Sequence, residues 1–303
     1  MLNYYLHLLG NDKIPSFLQK YLVSVSLLRL QNVGYFCGMD YASKDVYDFK
    51  EKISRYDHSL STALLTWLLT KNEEITVSAL IHDVSTPCFS HVIDYMNKDY
   101  IHQESTEEYT KEILNNDKFF KNCLSIDNLD FNKVINFKNY SVVDLDRPML
   151  CADRLDGIIL TSIGWTKNIK ESEIKSILNH IKLYKNEEGK DEIGFDDLEV
   201  AKLVMSLNNK INEFCHSKED NYMMELLASI TRYSINKKYI SYNDLYFKNE
   251  HFIYYYLKRI KDNKLKEMIH IFETIKRKEI SNIELETKNK ELNVLVLGKR
   301  CNN

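Results

Sequence analysis

The chain has 303 residues, 44% of them hydrophobic and 28% charged, with a net charge of −3. That is enough for one large domain, or a domain with an appended subdomain, of ordinary globular composition. There is no global basic excess of the kind that binds nucleic acid, and no apolar run approaches the roughly 18 residues of a membrane span. Eight glycines and three prolines, against abundant Leu, Ile, Lys and Glu, favour helices with short connections.

The N-terminal "MLNYYLHLLGNDKIPSF" has no cationic start, long apolar core or small-residue cleavage site. The six cysteines form no C-x-x-C pair. Both observations point to a cytoplasmic protein with reduced thiols.

In "HSLSTALLTWLLT", Leu60, Ala63, Leu64, Trp67 and Leu68 fall at helical spacing and predict one buried stripe. "ITVSALIHDV" reads as a second buried helix closed before Pro87, because the residue preceding a proline disfavours the helical region. "FSHVIDYM" predicts a short third helix. "ESTEEYTKEIL" opens with Ser105 and Glu108 in a capping-box pattern. "RPMLCADRLDGIIL" sets Pro148 near a helix start with Asp146 as its cap. Beyond residue 165, "IKLYKNEEGKDEIGF" predicts a β-hairpin and "LNVLVLGKR" a short terminal strand. The stretches "LEVAKLVMSLNNKINEFC", "NYMMELLASITRYSI" and "HFIYYYLKRIKDNKLKEMIHIFETIKRK" read as helical. No repeat or low-complexity linker interrupts the chain.

Several charged residues sit where apolar ones would be expected. Asp83 lies between "SALI" and "PCFSHVI", Asp153 within "LCADRLDGIIL", and His58 opens a buried stripe. A buried carboxylate is strongly disfavoured unless it is paired or bound to a cation. Two imidazoles and two carboxylates make a mixed N/O set suited to Fe, Mn, Ni, Co or Zn, with open positions for water and a substrate oxygen. His91 and Asp94, three apart, share a helical face and can hydrogen-bond as an acid/base pair. Arg55 offers a planar fork for phosphate oxygens. Asp156 and Arg154 read as a helix-face ion-pair system. The lysine-rich runs near the C-terminus read as solvated faces, and Cys88 and Cys151 as packing residues.

"SRYDHSLSTA", "LIHDVSTPCFSH" and "CADRLDG" together resemble the ordered H…HD…D signature of the HD-domain metal-dependent phosphohydrolases. The resemblance is closest to the dGTP/dNTP triphosphohydrolase branch. It covers roughly residues 14–165 and includes an upstream Arg29–Leu30 pair. It implies an all-α fold: an HD-domain helical bundle within residues 1–165, and a mainly helical C-terminal subdomain, residues 166–303, carrying a small hairpin. It further implies one divalent metal, a transition metal or Mg, held by His58, His82, Asp83 and Asp153. Arg55 matches a phosphate-contacting arginine, His91 and Asp94 a catalytic pair, and His102 a further active-site histidine. The implied substrate is a small phosphorylated molecule of nucleotide type; neither membrane nor nucleic acid is implied, and a homo-oligomer is allowed.

The branch pattern is broken at Ser85 and Thr86, which follow the HD block, at Cys151, which replaces an acid, and at Gly157, which replaces a tyrosine. Three alternatives therefore stay open: a 5′-nucleotidase, a (p)ppGpp or cyclic-nucleotide hydrolase, and a regulatory module that binds metal and nucleotide without turnover.

Overall fold

The computed structural model describes residues 1–101, 109–281, 285, 287–288 and 290–301; His102 and the predicted cap at Ser105 lie outside them. The described chain is mostly helical, with one small four-stranded sheet. Among the described residues no helix is long and apolar enough to cross a membrane.

Nine helices frame the cores and the site: α1 (Leu2–Leu8), α2 (Arg55–Thr70), α3 (Glu73–Ile81), α4 (Val92–Asn97), α5 (Ala152–Gly164), α6 (Leu198–Cys215), α7 (Lys218–Asn236), α8 (Glu250–Arg259) and α9 (Asn263–Thr274). The sheet runs in the order β1 (Ile181–Lys185), β2 (Asp191–Phe195), β3 (Leu295–Val296), β4 (Lys299–Arg300). β1 and β2 are the predicted hairpin, Ile181 opposite Phe195. The terminal strand is itself a hairpin, and β3 joins β2 in parallel.

Two apolar cores divide the molecule. One gathers Tyr5, Leu30, Leu64, Leu80, Leu155, Ile159 and Phe195, with α2, α3, α5 and the sheet around it. The other gathers Met39, Phe89, Val92, Leu227, Tyr246 and Phe272, centred on α7, α8 and α9.

Helix α2 departs from a simple stripe. Ser59 through Thr66 are all buried, Leu65 included, while Leu68 is 40% exposed. The middle of the helix is sunk into its core on every side, which is why hydroxyl residues occupy positions there that the period assigns to solvent. Its start is fixed by a reciprocal capping box between Ser54 and Asp57. Just upstream, Tyr35 N–H donates to the Ile53 carbonyl and Arg55 N–H to the Val33 carbonyl. This short pairing brings the segment around Tyr35 against the beginning of α2.

Two further helix starts differ from expectation. Helix α5 begins at Ala152 with Cys151 as its N-cap residue, so Asp146 and Pro148 belong to the turn before it. The Leu150 N–H donates to Glu192 Oε1 (3.1 Å), and the Leu150 carbonyl accepts from Ile193. Fully buried Glu192 is held by a two-pronged Arg300 contact at 2.6 and 2.7 Å. The C-terminal hairpin therefore anchors the entry to α5, since a buried carboxylate needs its partner. Helix α4 begins only at Val92, with His91 at its N-cap position. The chain reaches it through Phe89 (φ +66°) and Ser90 (φ +47°), consecutive left-handed residues that cost about 1–2 kcal/mol each.

Glu250, on the first turn of α8 and 1% exposed, stabilises that turn. Its carboxyl accepts from the Phe89 N–H (2.7 Å) and the Gly34 N–H (3.2 Å). A Cβ at Gly34 would stand 2.9 Å from Asp40 Oδ2 and 3.2 Å from Glu250 Oε1, so a larger residue there must displace these carboxyl groups. Burial raises the Glu250 pKa to about 7, against the pull of the two amides, and Asp40 adds to the rise. A carboxyl with its folded pKa above its unfolded one contributes stability that is complete below about 4.5 and lost as pH climbs through about 7. Glu250→Gln is expected to remove about 3 kcal/mol of pH-dependent stability between pH 4.5 and 7. Urea unfolding at the two limits measures it, and equal slopes for wild type and variant would show that Glu250 is already ionised at the lower one.

Candidate metal centre

Helix α2 carries His58, one turn in from its cap. Helix α3 ends at Ile81, with His82 as its C-cap residue and Asp83 in the turn beyond. The two do not extend from a continuing helix, as their spacing suggested; they leave a helix end in succession. Asp153 stands in the first turn of α5, where a carboxylate is favoured by the helix dipole. The turn after Asp83 is braced from outside by Arg29, whose guanidinium donates to the carbonyls of Val84 (3.1 Å) and Thr86 (2.6 Å). Ser85 bonds the Thr110 hydroxyl at 2.9 Å.

These elements converge. One ligand atom each from His58, His82 and Asp83 can be chosen so that all lie within 4.8 Å of one another. Asp153 Oδ1 is 2.9 Å from His58 Nε2 and 3.5 Å from His82 Nε2. The two Nε2 atoms are 3.3 Å apart.

The imidazoles are oriented from behind. His82 Nδ1 donates to the Ala79 carbonyl (2.7 Å), and His58 Nδ1 to Asp156 Oδ2 (2.7 Å). Asp156, wholly buried, also accepts from the Tyr5 hydroxyl (2.6 Å) and Ser61 Oγ (2.8 Å). With both Nδ1 atoms committed as donors, both Nε2 lone pairs face the shared space, as in metal-binding histidines backed by a carboxylate or carbonyl.

The electrostatics also favour a cation. Burial opposes charge at His58, but the Asp153 and Asp156 carboxylates outweigh it and raise its pKa to about 10. His82 is raised as well: burial opposes, and Asp83 and Asp153 prevail. Asp83 is held well below the usual carboxylate range, Arg55 and the two imidazoles overcoming its burial. A second group, Asp144, Cys151 and Asp153, has no member in common with the first, though its Asp153 also approaches both imidazoles. Its thiol is pushed by burial to about 11 and lacks the oriented nitrogens. The donor set of the first group fits a divalent transition metal better.

Arg55 is 7% exposed. Its Nη1 donates to Asp83 Oδ2 at 2.8 Å, and its guanidinium carbon lies 5.0 Å from the centre of the Tyr35 ring. The structure therefore ties it to a candidate ligand. The rest of its fork makes no hydrogen bond among the described residues. His91 Nδ1 and Asp94 Oδ2 are 2.9 Å apart, with Asp94 fully buried and His91 partly open. His58, His82, Asp83, Asp153, Arg55 and His91 all line one cavity of about 560 Å³, the size range of small-ligand sites.

Two contributors escape a reading of the sequence. The sequence pairs Asp156 with Arg154; instead Arg154 donates to the carbonyls of Met149 and Leu145, and Asp156 orients His58. Its spacing of three from Asp153 was the available signal, since the two share a helix face. Tyr35 gave none. Its ring leans on His58 (5.1 Å between centres), and its hydroxyl lies 3.0 Å from where a Cβ on Gly157 would stand. A tyrosine from the N-terminal segment thus fills the space beside position 157.

No family model matches the chain. It is 24% identical over 245 residues to the uncharacterized protein YdhJ of Bacillus subtilis, a match covering 78% of this chain and 69% of the other. It is 27% identical over 130 residues to the metal-dependent phosphohydrolase cns2 of Cordyceps militaris, covering 42% of this chain and 36% of the other. Part of the chain is thus similar to a metal-dependent phosphohydrolase.

Asp156→Ala is expected to lower the affinity of the ion-stripped chain for Mn²⁺ about 10–100-fold by freeing the His58 ring. Calorimetric titration reads this directly, and an affinity within about threefold of wild type would show that Asp156 does not prepare the site.

Proposed function

We propose that the chain is a metal-dependent phosphohydrolase of HD-domain type, cleaving a phosphoester of a nucleotide or related small phosphorylated substrate in the manner of the dNTP triphosphohydrolases. The observation that carries this reading is the convergence of two imidazoles with fixed tautomers and two carboxylates on the wall of a ligand-sized cavity. The partial likeness to a named metal-dependent phosphohydrolase supports the reaction class.

In this reading His58, His82, Asp83 and Asp153 hold one divalent ion. Such an ion polarises a phosphoryl oxygen and brings the pKa of its water toward neutrality. The chain's own residues then have separate tasks. Asp156 and the Ala79 carbonyl fix the imidazole tautomers, so that Nε2 is the ligand atom on each ring. Arg55 positions Asp83 with one arm and offers its remaining donors to a phosphate oxygen entering the cavity. His91, held through Nδ1 by Asp94, presents Nε2 as the proton-handling atom for the nucleophile or leaving group. The left-handed Phe89–Ser90 turn and its Glu250 clamp place His91 at the head of α4. His102, outside the described residues, keeps the place of a further active-site histidine that the resemblance gives it.

His91→Ala should lower kcat by about 10²–10⁴-fold with a smaller change in KM, the cost of losing a general acid/base. Asp83→Ala should abolish turnover together with ion binding. Activity at limiting ion should also weaken as pH falls from about 10, because the ion must displace the proton that His58 holds up to that value. A panel of nucleoside mono-, di- and triphosphates and cyclic nucleotides, assayed with Mn, Ni, Co, Fe and Mg, measures all three and separates triphosphohydrolase from 5′-nucleotidase. Binding of Mn²⁺ and nucleotide without release of phosphate, pyrophosphate or nucleoside would reduce the chain to a binding module.

A further inference from the structure

A glycine inside a helix is disfavoured relative to alanine, so Gly157, within α5, calls for a reason. A Cβ there would stand 3.0 Å from the Tyr35 hydroxyl. That is tighter than ordinary packing, and the missing side chain lets the phenol lie against the helix. Thr161, one turn further along α5, hydrogen-bonds the phenol oxygen through its side chain.

The main chain fixes the other end of the tyrosine. Its N–H donates to the Ile53 carbonyl (3.0 Å), while the Arg55 N–H donates to the Val33 carbonyl (2.9 Å). Gly34 and Ser54 pair antiparallel between them. Tyr35 and Arg55 are therefore held close by one short pairing, and the guanidinium lies over the phenol ring. The Phe36 ring meets that of Tyr35 edge-on at 5.4 Å.

A guanidinium beside a carboxylate frequently pairs with it through two parallel N–H···O bonds. Among the described residues, Arg55 instead gives Asp83 a single bond, from Nη1 at 2.8 Å. Its Nε is a buried donor with no acceptor among them. An unmatched buried donor is destabilising, so something must keep the fork from turning to meet Asp83 with both arms. The phenol ring does so: it attracts the cation to its face, and turning the fork would take it off the ring.

We infer that Tyr35 is a positioning residue for Arg55: its ring, seated by the glycine at 157, holds the guanidinium off a two-pronged pairing with Asp83 and keeps the remaining donors for an incoming phosphate oxygen. This rests on the phosphohydrolase reading above, in which Arg55 meets phosphate. The tyrosine acts through Arg55. Its contact with His58 is packing, since Asp156 already fixes that imidazole.

The test is a double-mutant cycle, read by calorimetric titration of inorganic phosphate into the full chain loaded with Mn²⁺. Two ringless variants, Tyr35→Leu and Tyr35→Met, guard against a failure of either to fold, which loss of Mn²⁺ binding reports. A folded ringless variant should bind phosphate about fivefold or more weakly, within the range of a desolvated cation–π contact. Tyr35→Phe, which keeps the ring, should stay within about threefold of wild type. In an Arg55→Met background, itself weakened about tenfold, removing the ring should change affinity by less than about twofold, because its partner is gone.

Undiminished phosphate binding without the ring, or a loss of the same size with and without Arg55, overturns the assignment and leaves the metal-centre reading standing. Loss of Mn²⁺ binding by both ringless variants also overturns it, since Tyr35 would then support the whole site. Arg55→Met binding phosphate as tightly as wild type, or a wild type that binds none, overturns the phosphate role of Arg55 beneath it.

Discussion

Two imidazoles with both Nδ1 atoms committed as donors have no choice but to aim their Nε2 lone pairs at whatever lies between them. Here that distance is 3.3 Å, with Asp153 Oδ1 alongside both nitrogens. Lone pairs so close repel unless a proton or a metal ion stands among them. In the ion-free chain a proton serves, and His58 retains it up to a pKa of about 10. The remaining features of the site follow from maintaining this arrangement: the buried Asp156 behind His58, the helix end that sets His82 against the Ala79 carbonyl, and the Arg55 contact that holds Asp83.

The surrounding fold meets that demand with elements from both cores. The first supplies the candidate ligands, through α2, the end of α3 and the start of α5. The second supplies His91 and Asp94 on α4, which packs against α7. A turn that places two non-glycine residues in the left-handed region would not persist alone, so its cost is offset where both cores meet it. Glu250 makes that connection, taking one amide from the turn and one from the segment that leads to Tyr35 and α2. The price of the arrangement is a buried carboxyl with no ion pair among the described residues, its pKa raised by that burial to about 7.

Legibility from sequence followed the range of the forces involved. The candidate ligands and the His91–Asp94 pair were visible because charged residues inside apolar helices demand an explanation, and because their spacing is local. The β-hairpin was visible because alternation is local too. The start of α5 was not, since Cys151 takes the cap position on account of Leu150 docking against β2 and Glu192, more than 40 residues away. Leu68 was misplaced because a helix buried on nearly every side has no stripe to read. Tyr35 was invisible for a related reason: its position depends on a short pairing of residues 33–35 with 53–55 that no periodicity announces.

The cavity contains two charge regimes that must not collapse onto each other. At the metal end the carboxylates outnumber the permanent cations, and Arg55 is the guanidinium bonded there, tied to Asp83. Elsewhere on the cavity wall, the hydrogen bonds of Arg147, Arg154 and Lys290 among the described residues go to main-chain carbonyls and a thiol rather than to the candidate ligand acids. A lysine bonded to Asp153 would neutralise one carboxylate of the candidate metal centre. Arg147, fixed on the carbonyls of Lys290 and Glu291, keeps its charge but loses its freedom to swing toward those acids.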